Sequence, residues 1–450
     1  MSLRAGAAKA VITPPVGYPM GAWGLRQGVA QAVHDDLYAR ALVLHDGTTT
    51  IGIVALDIVG ISKEILAGIR RQTEQLCGIT ADRLLVSSTH NHTTPAIFTE
   101  IPPALAAYAV HLADVVAGVV AEAAHRMEPA RAGHGAGDLS GVSINRQFRE
   151  RPVDTAVGVL RVDSRSGRPI ARVFTWACHN LCIGGSERLW SADFTGVACR
   201  LLDKQNPGSV SLFLQGAGGD IHPFDWWFGN ARSKHLHTFE DAESLGTMLA
   251  AETTKRTESI GTSSTIRLAA VADTVHMARH RVTWTVDQAE RLNKSLVKQL
   301  GVYHGDTWPK GTTTAIAGER HPEIYGNGAN ELKLAMNQDK PPIPAEIQAF
   351  RIGDLRIACN PGELFNELGS MIKDSAGGDI WAASYCNDYT GYVSTRMPYR
   401  KIADVPLEEI VDMKKYRCYY GTTTSPFAEG AGEDLAAAEI ALVRRLDAKR

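Results

Sequence analysis

The stretch SSTHNHTTPA, residues 87–96, carries two histidines on either side of one asparagine. It follows an apolar run at 84–86 that is typical of a buried strand. Because side chains alternate between the faces of a strand, we expect His90 and His92 to point the same way. Two adjacent imidazoles can bind a metal or exchange protons, but they can equally be hydrogen-bonded surface groups. The pair alone leaves both interpretations open.

Three further places put polar side chains just after an apolar run, where open α/β sheets build their sites. WACHN ends with His179 and its flanking asparagine, and the nearby SADFTG puts Asp193 before a helix. FLQGAGGDIHP contains Asp220 and His222, and CNPGELF puts Glu363 at the predicted start of a helix. Each has a structural alternative, such as an isolated structural histidine, an N-cap carboxylate or a first-turn glutamate.

Taken together, two histidines from separate strands and one carboxylate form the ligand set of a catalytic zinc that keeps one position open for water. A set without thiolate also suits zinc better than softer metals. The glycines at 216–219 allow close backbone approach to a ligand or to another element. They do not form a dinucleotide-binding turn or a P-loop, because Pro223 follows and no GK[ST] is present.

Strand-like runs that alternate with helical patterns predict an α/β domain in which helices flank a mixed sheet. Ser62 and Thr195 are predicted N-caps, and Gly353-Asp354 is predicted to form a tight hairpin. The predicted strands are 39–47, 50–60, 83–90, 171–179, 209–216, 347–354 and 355–362, and the predicted helices are 62–76, 194–205, 239–256 and 362–373.

We expect one domain over residues 1–450, since no linker separates a second unit. The segment at about 302–345 lacks periodicity and is predicted to be an irregular active-site loop or lid. The most apolar long stretch, residues 109–125, is interrupted by charged side chains and is too short to span a bilayer. It is predicted to be a buried helix.

The composition is that of an ordinary soluble protein, with 44% apolar residues, 21% charged residues and a formal net charge of -2. This balance argues against a nucleic-acid partner and against an anionic membrane surface. Seven cysteines without a CxxC pair predict free thiols in a reducing compartment. With no signal-peptide pattern at the N-terminus, we expect a cytoplasmic protein without stable membrane insertion that acts on a small molecule.

Six motifs, in order, resemble the catalytic domain of the neutral/alkaline non-lysosomal ceramidase family: GAAKAVITPP, SSTHNHTTPA, WACHN with SADFTG, FLQGAGGDIHP, NPGELF and NDYTGYVST. The resemblance implies one zinc ion per chain, held by His90, His179, Glu363 and Tyr392. It also implies that His92 takes a proton from water, and that a tyrosine stabilises the oxyanion. Tyr420 is the nearest match for that tyrosine, and Tyr419 is an equal rival.

The chain departs from the family pattern in its substrate contacts. A segment containing Trp226 and Trp227 replaces the family's GGPS motif, and no Ig-like C-terminal domain is expected. These tryptophans, with Asp220 and His222, are candidate substrate-binding residues. We therefore expect a zinc amidohydrolase acting on a small or medium N-acyl or cyclic amide. The alternatives are a ceramide-type membrane-lipid amidase, an esterase or lactonase, and a non-catalytic metal-binding homologue. The oligomeric state is left open.

Overall fold

The computed structural model describes residues 2–22, 28–98, 101–185, 187–224, 237–300, 329–375, 379–410 and 419–448. Its strands are β1 (Arg4–Val11), β2 (Ala32–Val33), β3 (Tyr38–His45), β4 (Thr50–Leu56), β5 (Leu84–Ser88), β6 (Glu128–Asp138), β7 (Ser143–Asn145), β8 (Ala156–Ser164), β9 (Pro169–Trp176), β10 (Leu189–Trp190), β11 (Val210–Gln215), β12 (Ile221–Pro223), β13 (Leu268–Met277), β14 (Ile343–Ile352), β15 (Leu355–Cys359), β16 (Glu363–Leu364), β17 (Ile380–Ala383) and β18 (Tyr392–Val393). Its helices are α1 (Lys63–Cys77), α2 (Ala106–His125), α3 (Asp193–Gln205), α4 (Phe239–Glu258), α5 (Val286–Leu300), α6 (Ala329–Asn337), α7 (Asn366–Asp374), α8 (Arg396–Ile402), α9 (Leu407–Ile410), α10 (Tyr420–Thr423) and α11 (Ala431–Ala448), with short 3-10 turns at Ala81–Arg83 and Pro103–Leu105.

The largest sheet has eight strands in the order β11-β9-β8-β6-β1-β3-β4-β5. Its β4–β5 and β9–β11 pairs are parallel, and its other pairs are antiparallel. The sheet curls, so that β11 at one end contacts β3, β4 and β5 at the other. The predicted mixed-sheet α/β fold is confirmed. The curl also brings the chain segments after β5 and β9 to the same end of the sheet.

A second sheet of four strands, in the order β13-β14-β15-β17, packs against the curled one. The core between the two sheets contains Leu42, Leu160 and Leu212 from the large sheet, and it contains Phe350 and Ile357 from the small one. Burying apolar surface of this kind is the main favourable term in folding. The two sheets therefore meet over one shared apolar core.

Helices cover the outer faces of both sheets. Ile65 of α1 and Leu112 of α2 pack on the β3–β5 side, and Phe194 of α3 packs beneath β9 and β11. Leu368 of α7 and Leu435 of α11 cover the small sheet. The molecule thus has four layers, helix, sheet, sheet and helix, as packed α/β proteins require for two-sided burial.

The predicted apolar helix at 109–125 lies inside α2. With its leading 3-10 turn, the segment Pro103–His125 is the one described helix that is long and apolar enough to cross a membrane. Half of that apolar window is buried in the protein. Leu112, Val116 and Val120 belong to the core beneath β3–β5, which confirms the prediction of a buried helix.

Of the three local features predicted from the sequence, one N-cap and the hairpin are confirmed and the other N-cap is not. The Ser62 Oγ accepts the Ile65 backbone N–H at the start of α1, and Gly353 takes a left-handed φ of 67° in the β14–β15 hairpin, both as predicted. The prediction of Thr195 as an N-cap was wrong. Helix α3 already begins at Asp193, whose buried carboxylate accepts backbone N–H groups and anchors an earlier start.

The predicted irregular segment at 302–345 falls into two parts. Residues 301–328 lie outside the described residues. The remainder contains helix α6 and the first residues of β14, which pairs with β13 from Met277↔Ile343 onward. The prolines at 341, 342 and 344 hid this strand start, because proline is depleted in strands.

Candidate metal centre

His90 lies two residues after the end of β5, where the backbone leaves the extended conformation. Its φ is 57°, a left-handed conformation that costs a non-glycine residue free energy and that clusters at functional sites. Its Nδ1 lies 2.8 Å from the Val59 carbonyl oxygen and donates to it. The other ring nitrogen, Nε2, is thereby left as an acceptor pointing into the site.

His179 is held in the same manner after β9. Its Nδ1 donates to the Gly218 carbonyl oxygen at 3.0 Å, and its Nε2 lies 3.0 Å from the His90 Nε2. The neighbouring Cys178 side chain is buried in the core that faces α3 and α4. Two imidazoles from different strand ends therefore present their unprotonated nitrogens to one point.

Glu363 brings a carboxylate to that point. Its Oε2 lies 3.2 Å from the His90 Nε2 and 3.6 Å from the His179 Nε2. The prediction that Glu363 begins a helix was wrong: it lies in β16, and α7 begins at Asn366. The backbone of Glu363 pairs with Tyr392 of β18, which takes the place of a helical turn.

These spacings fit a metal ion. An ion held at about 2.0–2.2 Å by tetrahedral ligands keeps those ligand atoms roughly 3.3 Å apart. The three protein atoms, on His90, His179 and Glu363, are separated by 3.0–3.6 Å. Both histidines also donate a hydrogen bond from their Nδ1–H group to a backbone carbonyl, which is the usual support of a metal ligand.

The electrostatics keep His179 neutral. Its complete burial lowers its pKa well below the ordinary value, and the Arg146 charge and the two other imidazoles lower it further. Only an unprotonated imidazole can bind a metal through its Nε2. The environment therefore keeps His179 in the protonation state that ligation needs.

Tyr392, the predicted fourth ligand, lies alongside His179. Their rings stack with centroids 6.5 Å apart, and the Tyr392 hydroxyl accepts a hydrogen bond from Arg146 Nη2 at 2.9 Å. Burial raises the pKa of Tyr392 well above its ordinary value, and Arg146 acts in the opposite direction. A phenolate at this position therefore needs a further positive charge, such as a metal ion.

His92 is the third imidazole of the site. Its Nε2 lies 3.2 Å from the His90 Nε2, so the two histidines face the same point, as predicted. The ring nitrogens of His90, His92 and His179 fall within 4.8 Å of one another. His92 is 8% exposed, against 1% and 0% for the other two, so it lies nearest to solvent.

Asn91, between the two histidines, stabilises the loop after β5 through hydrogen bonds of its side chain. Its Nδ2 donates to the Ser191 carbonyl, and its Oδ1 accepts from the Thr93 backbone N–H. The asparagine thus points away from the site and fixes the turn that presents both rings.

The glycine-rich turn after β11 makes room for Glu363. A Cβ on Gly219 would lie 2.3 Å from the Glu363 carbonyl oxygen, well inside van der Waals contact. The Gly219 N–H also donates to the Leu364 carbonyl at 2.9 Å. The close backbone approach expected of this turn is thus an approach to the strand that carries Glu363.

Asp220 and His222 support the backbone around the site and are not among the residues that line the cavity described below. The Asp220 carboxylate accepts from the Asn366 backbone and from the Asn145 side chain, both at 2.7 Å. The His222 ring is fully buried, and its Nδ1 donates to the Pro223 carbonyl. Direct substrate contact by either residue finds no support in this geometry. Trp226 and Trp227 lie outside the described residues.

A cavity of about 690 Å³ adjoins the site. Tyr389, Tyr392 and Tyr420 form the wall toward the candidate metal ligands, and the remaining lining is partly apolar and partly charged. The Tyr420 ring meets the Tyr392 ring edge-on at 5.9 Å, whereas Tyr419 packs against Phe148 at 5.7 Å. Between the two rival tyrosines, the geometry favours Tyr420 as the one that reaches the site.

Sequence reasoning missed three side chains that hold the ligands. The Tyr389 hydroxyl donates to Glu363 Oε1 at 2.5 Å, and the Tyr385 hydroxyl to Glu363 Oε2 at 3.4 Å. Arg146 bridges the Tyr392 hydroxyl and the Gly219 carbonyl. Tyr389 lies in one of the motifs that resemble the ceramidase family, so its motif could have indicated it. Arg146 follows the three-residue strand β7, and no motif or periodic pattern around it indicates a role in the site.

Comparison with known proteins identifies relatives of the chain. Residues 3–225 match the family model described as neutral/alkaline non-lysosomal ceramidase, N-terminal. Neutral ceramidases A and B of Dictyostelium discoideum are 27% identical over 228 residues and 26% identical over 227 residues. Each match covers 43% of this chain but only 32% of the relative, so the chain matches about a third of the length of these proteins.

Two solved structures share the fold over 99% of the chain. The neutral ceramidase from Pseudomonas aeruginosa superposes with a TM-score of 0.71 at 18% identity, over 75% of its own chain. A ceramidase complexed with C2 superposes with a TM-score of 0.70 at 16% identity, over 76% of its chain. His90 and His179 fall inside the family match, whereas Glu363 and Tyr392 lie beyond it, in a part of the chain that the fold comparison covers.

Proposed function

Since the N-terminal half of the chain belongs to the neutral/alkaline non-lysosomal ceramidase family, we propose that this protein is a zinc-dependent hydrolase. It cleaves an amide bond, in an N-acyl or cyclic amide, with an activated water molecule. The observation that carries the proposal is the convergence of His90 Nε2, His179 Nε2 and Glu363 Oε2 within 3.0–3.6 Å of one another. Buried imidazoles and a carboxylate at this spacing are the ligand chemistry of zinc.

His90, His179 and Glu363 would hold the ion, with Tyr392 as the fourth ligand. Bound zinc supplies Lewis acidity, which makes water a stronger acid and polarises an amide carbonyl. Tyr389 and Tyr385 donate to the Glu363 carboxylate and so fix its orientation. Arg146 stabilises negative charge on the Tyr392 oxygen through the 2.9 Å hydrogen bond.

His92 is the proton carrier of the proposed reaction. Its Nε2 faces the same point as the His90 Nε2, and an imidazole titrates near neutral pH when it is unperturbed. It accepts the proton of the attacking water and returns it to the leaving nitrogen. Tyr420, on the cavity side of Tyr392, donates a hydrogen bond from its hydroxyl to the carbonyl oxygen as negative charge develops there, and keeps its proton.

The substrate is proposed to be a small or medium N-acyl or cyclic amide that fits the 690 Å³ cavity. A ceramide-type lipid amide is the second candidate, because the relatives are named neutral ceramidases and the cavity wall includes Phe98, Leu334 and Ile343. Ester or lactone cleavage uses the same groups and is tested alongside. A non-catalytic metal-binding role is the remaining alternative.

We also propose a cytoplasmic location. The six cysteines in the described part of the chain are free, and five of them are buried. Free thiols are typical of a reducing compartment. Fractionation of the native host with an antibody against the chain tests this proposal.

The proposed activity is tested by removing metal with a chelator, restoring zinc, and screening N-acyl amides, short-chain ceramide, lactams and esters. We expect hydrolysis to disappear without metal and to return with zinc. His179→Ala should abolish it, whereas His125→Ala, at the exposed end of α2, should leave it unchanged. Hydrolysis that survives both metal removal and His179→Ala would contradict the proposal.

A further inference from the structure

The charged side chains of the cavity wall are unequally paired. Lys63 lies 3.3 Å from the Asp388 carboxylate and compensates its charge. Arg279 and Lys333 line the same cavity, and neither forms an ion pair with an acidic side chain in the described part of the chain. Among the described lining residues the other acid is Glu64, in the first turn of α1. Three cations against two carboxylates leave the described wall with a net positive charge.

The backbone of Arg279 is fixed to the segment that follows Tyr420. Arg279 pairs with Phe427 in an antiparallel β-bridge. The Phe427 N–H donates to the Ser425 Oγ at 3.3 Å, and that hydroxyl donates to the Tyr392 carbonyl oxygen at 2.7 Å. Arg279 is therefore held in a fixed place relative to Tyr392, the proposed fourth metal ligand.

The guanidinium group of Arg279 is oriented but only partly used. Its Nε donates to the Pro341 carbonyl oxygen at 2.7 Å, which limits the rotation of the side chain. Its two Nη groups donate to no acceptor among the described residues. The planar fork of a guanidinium matches the two oxygens of a carboxylate, and the partial burial of Arg279 reduces the screening of its charge by water.

We propose that Arg279, assisted by Lys333, binds a carboxylate of the substrate, and that the preferred substrates are amides that carry a carboxylate, such as N-acyl amino acids. This inference rests on the proposed function and names the substrate class of that same site. The apolar residues of the wall, Phe98, Leu334 and Ile343, would contact the hydrocarbon part of such a substrate.

A neutral amide would leave both cations without a partner as it displaces water from the cavity, which costs free energy. A carboxylate removes that cost and forms charge-assisted hydrogen bonds, which are strong enough to change an affinity about 10-fold or more. The neighbouring imidazole of the wall, His280, adds no charge at neutral pH, because burial lowers its pKa below the ordinary value. The positive charge therefore comes from Arg279 and Lys333.

The experiment compares matched amides with zinc-loaded protein. The N-hexanoyl amides of glycine, β-alanine and γ-aminobutyrate carry the carboxylate on the amine part, and the monohexylamide of succinic acid carries it on the acyl part. In the neutral counterpart of each, a carboxamide replaces the carboxylate. Release of hexanoate or hexylamine is measured. We expect at least one carboxylate compound to have about 10-fold higher kcat/KM than its neutral counterpart, and that compound shows which part carries the carboxylate.

Substitution of the cations tests the assignment. Arg279→Gln should raise KM for the preferred carboxylate compound about 10-fold, and should leave the kinetics of the neutral compound and the zinc content unchanged. Arg279→Lys should keep part of the preference, because lysine keeps the charge but not the fork. Lys333→Gln, at an exposed position, should lower the preference by a smaller factor. Arg71→Gln, at an exposed position of α1, is the control and should behave as wild type.

Hydrolysis by wild type without preference for any carboxylate compound, or a preference that persists in Arg279→Gln, would overturn the inference and leave the proposed function intact. If wild type hydrolyses no amide, the proposed function fails, and this inference fails with it. If Arg279→Gln does not fold, Arg279→Lys and Lys333→Gln decide, because an unchanged preference in both would overturn the role of the two cations.

Discussion

His90 and His92 are two residues apart and face one site, but their surroundings suit them to different roles. The His90 Nδ1 donates to the Val59 carbonyl, which leaves the Nε2 lone pair directed at the point that the Glu363 carboxylate also faces. The His92 Nε2 faces the same point from the more exposed side. Burial and the carbonyl contact suit His90 as a ligand, and the position of His92 toward solvent suits a group that exchanges protons.

The first prediction separates these roles. His92→Gln should keep about one zinc per chain and lose roughly 10²–10⁴-fold in turnover, because it removes the proton carrier but not a ligand. His90→Ala should lose both zinc and activity. Elemental analysis of the purified variants, combined with steady-state kinetics, checks this. Loss of zinc in His92→Gln would instead assign His92 to the ligand set.

The second prediction concerns the two neighbouring tyrosines at the cavity. Tyr420→Phe should lower kcat roughly 10²–10³-fold with little change in KM, because it removes a donor that acts only as the oxyanion develops. Tyr419→Phe is the matched control and should behave as wild type, since the Tyr419 ring packs against Phe148. Equal loss in both variants, or loss only in Tyr419→Phe, would contradict the role of Tyr420 as the oxyanion donor.

At the scale of elements, the site depends on backbones that pass unusually close together. The turn after β11 and strand β16 touch at Gly219, where a Cβ would meet the Glu363 carbonyl oxygen at 2.3 Å. The backbone fixes the position of a Cβ, and the oxygen it would meet is itself a backbone atom. A change of side-chain rotamer therefore cannot relieve the contact. The glycine is needed for the approach and not for an unusual φ.

The third prediction follows from this contact. Gly219→Ala should push β16 away, displace the Glu363 carboxylate and weaken zinc binding by at least 10-fold, a magnitude typical of disturbed ligand support. Gly261→Ala is the control, because a Cβ there has nothing within 4 Å. Zinc titrations of the two variants give the answer, and wild-type affinity in Gly219→Ala would show that β16 is not constrained by the turn.

The fourth prediction concerns helix α11 and its buried Glu439. The folded-state pKa of about 8 lies above the ordinary value of 4.5, so the folded protein holds this proton longer than the unfolded chain does. The contribution of Glu439 to stability is therefore fully present below about pH 4.5 and is lost as pH rises through 8. Glu439→Gln should remove that loss, which is on the order of a few kcal/mol.

Denaturant unfolding of wild type and Glu439→Gln at several pH values measures this difference. The gap in unfolding free energy should widen from pH 5 to pH 8 in favour of Glu439→Gln and then stay constant. Parallel curves at every pH would mean that the Glu439 carboxyl titrates alike in the folded and unfolded chains.

At the scale of the whole molecule, the candidate metal centre takes its residues from two sheets. His90 and His179 follow strands of the curled large sheet, whereas Glu363 and Tyr392 come from the segments after β15 and β17 of the small sheet. The site exists only when the two sheets have packed over their shared core. A ligand that binds all four residues therefore stabilises the packing as well.

The sequence predicted the parts of this arrangement that are local. Apolar runs indicated the strand ends where His90 and His179 lie, and the ordered motifs indicated the fold that the two solved ceramidase structures share with the chain. The helical start at Glu363 was predicted wrongly, because the pairing of β16 with β18 is a long-range contact that local periodicity does not encode. Arg146 was missed for the same reason, since its partners are more than 70 residues away.

The most direct test of the account is the anomalous scattering of zinc-loaded crystals, measured on both sides of the zinc absorption edge. We predict one buried peak per chain at about 2.0–2.2 Å from His90 Nε2, His179 Nε2 and Glu363 Oε2, with the Tyr392 oxygen as fourth ligand. His92 should lie next to the peak without binding it. A peak ligated by His92 with His90 turned away, or no buried peak at all, would contradict the account.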